Sequence, residues 1–92
     1  MNSIKEKLTP LEQSIKDAKG IDVHGKKYRI SFYYQNTRYF EVLKQYTLTE
    51  KNLNHVIKKR ENVIYRIETN CFDYAEEFPN SKKALKFKSK NK

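Results

Sequence analysis

The sequence predicts an α+β domain: a three-stranded antiparallel sheet packed on one main C-terminal helix, with an extra N-terminal helix and a short helical turn after the main helix. Three observations carry this expectation. Apolar residues keep helical spacing up to Gly20 and alternate with polar ones from Ile21 to Tyr34. The alternating runs are separated by two short turn-forming stretches, "HGKK" and "QNT", which join neighbouring strands antiparallel. A second helical stripe then begins after Thr49. With 92 residues there is room for one small core, so the seven Tyr and five Phe must supply much of its bulk.

The N-terminal segment 1–19 reads as a helical extension. Ile4, Leu8, Leu11, Ile15 and Ala18 share one helical face, and that face is expected to pack on this domain. Ser3 with Glu6 and Thr9 with Glu12 both have capping-box spacing, and Pro10 suits a first helical position. The firmer helix is therefore 10–19, with Gly20 as its stop.

Ile21 and Val23 alternate with Asp22 and His24, which marks a short strand. After the turn at Gly25, Tyr28, Ile30, Phe32 and Tyr34 form the apolar side of a longer one. Asn36 is the turn residue best suited to positive φ. Residues 38–43 form the third strand, whose parity stays open because Tyr39, Phe40, Val42 and Leu43 offer apolar groups to both faces. "KQYTLT" reads as a loop. Thr49 is the expected N-cap of a helix over 50–68, with Leu53, Val56, Ile57, Ile64 and Ile67 as its stripe and the stem of Arg60 between them. Asn70 suits the left-handed position after that helix, and "FDYAEEFP" reads as a short turn or helix with Asp73 at its start. Residues 20–80 would form the functional domain. The segment 81–92, with six lysines, is expected to be a flexible tail or linker.

Lys and Arg number 20 against 11 Asp and Glu, for a net charge of +9 and a pI near 9.7. Such an excess points to a polyanionic partner. The longest apolar runs are too short to span a bilayer and the N-terminus is too polar for a secretory leader, so neither membrane nor secretion is expected. A cytoplasmic setting fits. Cys71 is the single cysteine, expected to be buried or half-buried, and with His24 and His55 it forms no metal-ligand spacing. No glycine-rich phosphate loop or nucleophile–base pair is present, so no cofactor, small-molecule substrate or catalysis is expected.

One face of the sheet must be covered by the 50–68 helix; alternation places Asp22, His24, Arg29, Ser31 and Tyr33 on the other, and one of the two parities of the third strand adds Arg38 and Phe40, the choice favoured here. A small sheet fits the DNA major groove, where Arg can donate two hydrogen bonds to guanine and an aromatic edge can pack on a thymine methyl. The candidate DNA-contacting residues are His24, Lys26, Lys27, Arg29, Ser31, Tyr33, Gln35, Arg38, Phe40 and Lys44, with the lysines near strand ends, where phosphates would lie. The competing structural role for Arg29 and Arg38 is an ion pair with Asp22 or Glu41, and for Tyr33 a cross-strand aromatic pair.

The stretch "GIDVHGKKYRISFYYQNTRYFEVL", then "LTEKNL" and "NCFDYAEEFPNS", resembles the N-terminal arm-type DNA-binding domain of phage integrases, the tyrosine recombinases. That family shows a Gly-apolar-x-Val-x-Gly start, here Gly20, Val23 and Gly25. It then shows an apolar-x-Phe-x-Tyr strand (Ile30, Phe32, Tyr34) and an Arg-x-x-Glu-x-Leu strand (Arg38, Glu41, Leu43). Its Thr-x-x-Asn helix start matches Thr49 and Asn52, and its Gly-Thr-Phe-Asp-Tyr-Ala-x-x-Phe-Pro stretch matches Asn70 to Pro79. The resemblance covers about residues 20–87. It implies that the sheet binds arm-type sites of double-stranded DNA flanking a recombination core, in a bacterial or phage-encoded, nucleoid-associated setting. It also implies possible partnership with the core-binding and catalytic domains of a longer integrase, of which this chain would be a fragment or truncated form. Strand transfer in that family belongs to the catalytic domain, so none of the seven tyrosines here is assigned as nucleophile. This sequence departs from the family at Asp22 and His24, where basic residues are common, at Phe40, where Arg is frequent, and at Asn36 and Asn70, which replace glycines.

Two other readings share these elements. The α-β-β-β-α order is also that of the double-stranded RNA-binding domain, although its basic cluster opens the second helix, where this chain has "TEKNLNHV" with a single Lys51. Alternatively, the Ile4–Ala18 stripe could make the chain a protein-interaction module.

Overall fold

The computed structural model describes residues 9–88. They fall into two compact units, one up to Arg60 and one from Glu61. Ile4, Leu8 and the Ser3–Glu6 capping pair lie outside the described residues.

In the first unit, helix α1 spans Pro10–Asp17. Its start follows the sequence closely. Thr9 Oγ1 accepts from the Glu12 amide at 3.1 Å, and the Thr9 amide donates to Glu12 Oε1 at 2.9 Å, a complete capping box. The helix ends earlier than 19: Ala18 is already extended, and Gly20 turns the chain at φ 74°. Ile15 is the buried anchor of α1, which lies beside the first strand.

Strands β1 (Ile21–His24), β2 (Lys27–Tyr34) and β3 (Thr37–Thr47) form one antiparallel sheet in the order β1-β2-β3. Tyr34 pairs with Thr37 and Tyr33 with Arg38, so the hairpin has a two-residue tip. Both tip residues, Gln35 (φ 53°) and Asn36 (φ 66°), are left-handed, where the sequence suggested positive φ for Asn36 alone. A tip with two positive φ values matches the right-handed twist of the flanking strands.

This register resolves the parity of the third strand. Tyr39, Glu41 and Leu43 join Tyr28, Ile30 and Phe32 on one face, and Arg38, Phe40 and Val42 join Arg29, Ser31 and Tyr33 on the other. Tyr28, Ile30 and Phe32 are at most 1% exposed. Phe32 and Tyr34 both pack against Tyr39, with ring centroids 6.3 and 6.4 Å apart. β3 is longer than expected, running to Thr47 through part of the predicted loop. Lys27 pairs with Thr47 while Tyr28 pairs with Leu43, so residues 44–46 stand out of register. The Lys27 ammonium donates to the Lys44 carbonyl across this irregularity at 2.8 Å.

Helix α2 (Glu50–Glu68) has the expected bounds. Thr49 Oγ1 accepts from the Asn52 amide at 3.0 Å as its N-cap. Within the first unit, side chains tie α2 and its N-cap to the sheet, among them Asn52, whose Nδ2 donates to the Thr47 carbonyl at 3.0 Å. The phenol of Tyr28 donates to the Thr49 carbonyl at 2.8 Å, the Tyr46 ring stacks on His55, and Arg60 donates to the Ser31 carbonyl at 2.7 Å. Leu53 and Val56 are its buried residues there, while Ile57 is half-buried.

The second unit holds the last turns of α2, then α3 (Tyr74–Glu77) and α4 (Ala84–Lys88). Val63 is fully buried, whereas Ile64 and Ile67, expected in the stripe, are only half-buried. Asn70 is left-handed at φ 62°, as expected. Asp73 caps α3 by accepting from the Ala75 and Glu76 amides. Tyr74 is the centre of this unit: Phe72, Phe78 and Phe87 all pack against its ring, with centroids 5.1–5.6 Å away. Arg66 of α2 faces Glu77 of α3 at 3.4 Å. Two expectations change here. Cys71 is exposed rather than buried, because it follows the left-handed turn at Asn70 and precedes the first packed aromatic. Part of the stretch read as a flexible tail is helical, with Ala84 buried and Phe87 stacked on Tyr74; residues 89–92 lie outside the described residues.

Candidate nucleic-acid interface

The face of the sheet away from Tyr28, Ile30 and Phe32 carries a row of polar and aromatic side chains. Its members are set by strand pairing: Asp22 opposite Arg29, His24 opposite Lys27, Ser31 opposite Phe40, Tyr33 opposite Arg38. Alternation predicted Asp22, His24, Arg29, Ser31 and Tyr33 here; pairing adds Lys27 and decides for Arg38 and Phe40, and Tyr33 stands out at 65% exposure.

Three interactions order the face. Arg29 is held side-on by Asp22, with Nε 2.9 Å from Oδ1 and Nη2 2.6 Å from Oδ2. That hydrogen-bonded carboxylate raises the already high pKa of Arg29, so the group stays cationic at any ordinary pH. Arg38 donates Nη2 to Ser31 Oγ at 3.3 Å. Between them lies Phe40: the guanidinium carbons of Arg29 and Arg38 sit 4.8 and 5.0 Å from its ring centroid. A ring quadrupole attracts a cation at that range and limits its rotamers. Phe40 thus packs against both arginines from one strand.

The other candidates are distributed as follows. Ser31 belongs to the face but is buried, at 4% exposure, so its hydroxyl seats Arg38 rather than reaching outward. His24 and Lys26 are exposed at the β1–β2 turn, where Gly25 has φ 66° and open space around it. Lys27 and Lys44 meet at the register irregularity, at one end of the β2–β3 pair. Gln35 is exposed at the opposite end, on the hairpin tip. Glu41 lies on the covered face opposite Ile30, so of the two carboxylates weighed as partners for Arg29, Asp22 is the one that pairs with it.

Sequence reasoning treated Arg60 as a helix stem. Its head does more. It passes the start of β1 and donates Nε to the Ser31 carbonyl, on the edge of β2 that β1 does not reach. Burial, and then the positive charge of Arg38, lower its pKa. The sequence signal for this was Gly20: a Cβ there would collide with the Arg60 guanidinium.

Among the described residues no helix is long and apolar enough to cross a membrane. Compared with models of protein families, residues 18–82 match the arm DNA-binding domain. The match begins where α1 has ended and runs through all three strands, α2 and α3. No match was found among curated proteins or among solved structures.

Proposed function

The chain belongs to the arm DNA-binding domain family, a non-catalytic, double-stranded-DNA-binding module, and from this premise we propose that its open sheet face enters the major groove and reads sequence there. In this reading the module serves the arm-type sites of a phage-type integrase of the tyrosine recombinase class, alongside core-binding and catalytic domains. The observation that carries it is the ordered Arg29–Phe40–Arg38 row on a face that α2 leaves uncovered.

The chemistry follows from the donors. A three-stranded sheet is about as wide as the groove, and its side chains stand roughly perpendicular to it. Arg29 and Arg38 present planar forks suited to guanine O6 and N7. Tyr33, the most exposed aromatic of the row, offers a ring edge to a thymine methyl and a hydroxyl to a base or phosphate. His24, Lys26, Lys27, Lys44 and Gln35 sit at the two ends of the face and contact phosphates there.

The test is selection of a preferred duplex from a randomised pool, followed by titration of the isotopically labelled protein with that duplex. Amide shift changes should concentrate at residues 22–33 and 38–42. Changes confined to α1 and the outer face of α2 would overturn the groove reading. Equal affinity for all duplexes across a salt series would remove sequence specificity.

A further inference from the structure

Asp22 is a carboxylate on the edge strand β1 of a face that also carries Lys27, Arg29 and Arg38. We propose that Asp22 is a specificity-determining positioning residue: it presets Arg29 to read guanine and keeps Arg29 from being taken up by phosphate. The proposal rests on the groove reading above.

Geometry supports the first half. An arginine carries five N–H donors. The side-on pair with Asp22 uses the Nε hydrogen and one of the two on Nη2. The second Nη2 hydrogen and both Nη1 hydrogens remain; the Nη2 hydrogen and the Nη1 hydrogen parallel to it form the end-on fork that matches O6 and N7 of guanine. Asp22 therefore fixes the guanidinium without using the donors that recognition needs. Phe40 restrains the same group from the third strand, 4.8 Å away. Arg29 is thus held from both neighbouring strands, by a carboxylate from β1 and by a ring from β3. A side chain already ordered loses less freedom when it binds.

Charge supports the second half. The side chain of Asp22 is 54% exposed and that of Arg29 29% exposed, so any ligand of Arg29 meets the carboxylate as well. A phosphate brought to Arg29 is repelled by Asp22; the edge of a guanine, which is neutral overall, is not. The ion pair thereby withdraws Arg29 from the sequence-independent electrostatic attraction that dominates non-specific binding. It leaves that residue's contribution to the base.

The experiment compares the wild-type chain with Asp22→Ala, Asp22→Asn and Arg29→Ala on the selected duplex, on its single-base variants and on a random duplex, over a salt series. For Asp22→Ala, discrimination at one guanine position should fall about tenfold. Affinity for the random duplex should rise, and the salt slope should steepen by about 0.9, the value for one added phosphate contact. Arg29→Ala should lose discrimination at the same position without steepening the slope. Asp22→Asn is nearly isosteric and keeps one acceptor, so it should steepen the slope while retaining part of the discrimination; it also serves if the alanine variant fails to fold. Unchanged discrimination and slope in the Asp22 variants, with Arg29→Ala still losing its guanine, would overturn the role of Asp22 and leave the groove reading standing. A wild-type chain that prefers no duplex would overturn the groove reading, and this proposal with it.

Discussion

Arg60 fills the space that a side chain on Gly20 would need. Gly20 is left-handed at φ 74°, and a Cβ added there would run into the Arg60 guanidinium, whose Nε is engaged with the Ser31 carbonyl. The glycine that opens the first strand is therefore required twice, for its backbone angle and for the passage of a side chain arriving from forty residues further on.

Gly20→Ala should destabilise the chain by about 2 kcal/mol or more, since a strained left-handed residue and a steric clash act together. Chemical denaturation measures it. In an Arg60→Ala background the same change should cost only about 1 kcal/mol, the backbone part. Equal costs in both backgrounds would show that the two residues are not coupled.

Phe40→Ala should weaken binding to a preferred duplex by about tenfold, because both arginines lose the ring that orders them. Stability should fall by only about 1 kcal/mol, the worth of a partly buried ring, since Phe40 is 37% exposed. Phe40→Leu separates the causes: it keeps apolar area but has no ring quadrupole, so it should bind like the alanine variant. Wild-type affinity in Phe40→Leu would show that the ring matters only as bulk.

Tyr28 gives a pH signature. Burial, and then the nearby charge of Glu50, raise its pKa above the ordinary 10.0. Below pH 10 the phenol is neutral in both folded and unfolded chains, and its contribution is constant. Above pH 10 the unfolded chain loses the proton first, so stability falls as pH rises towards the folded pKa. Tyr28→Phe should remove this component of the alkaline loss. It should also cost about 1 kcal/mol at neutral pH, the worth of the hydrogen bond to the Thr49 carbonyl. Denaturation midpoints of the two proteins at pH 7 and pH 11 check both statements: the gap between them should narrow at the higher pH.

The hairpin tip offers a gain. Gln35 and Asn36 both hold left-handed angles, and the residues best suited to such a tip are Asn followed by Gly. The double change Gln35→Asn, Asn36→Gly should stabilise the chain by about 1 kcal/mol and raise Tm by about 4–8 °C. A lower Tm would mean that the wild-type side chains hold the tip by contacts of their own.

Much of this was legible beforehand, for local reasons. Alternation alone assigned the two faces of β2, because its period of two leaves no freedom once Tyr28, Ile30 and Phe32 point inward. Thr49 and Asn70 bracketed α2 because caps are short-range features. The face of β3 was not legible, since Tyr39–Phe40 and Val42–Leu43 each put an apolar residue on both sides; only pairing through the tight tip decides it. The run of β3 to Thr47 depends on its partner Lys27, twenty residues away, and no local pattern encodes that. Val63 was passed over for Ile64 because the exact rotation of a helix is set by what it packs on, not by which neighbour is more apolar. At α4 the lysines hid a short helical pair, Ala84 and Phe87. Arg60 and Phe40 show the same limit in the candidate site: each was visible as a residue type, but the group each touches was not.

The stacking of Arg29 and Arg38 on one ring also acts as a ruler. With each guanidinium about 5 Å from the same centroid, the two heads can be no more than about 10 Å apart. Base pairs rise about 3.4 Å each, so both heads fall within some three steps of the duplex. If the two arginines read bases as proposed, together they spell only a short word, and a longer address would need Tyr33 or further copies of that word beside it.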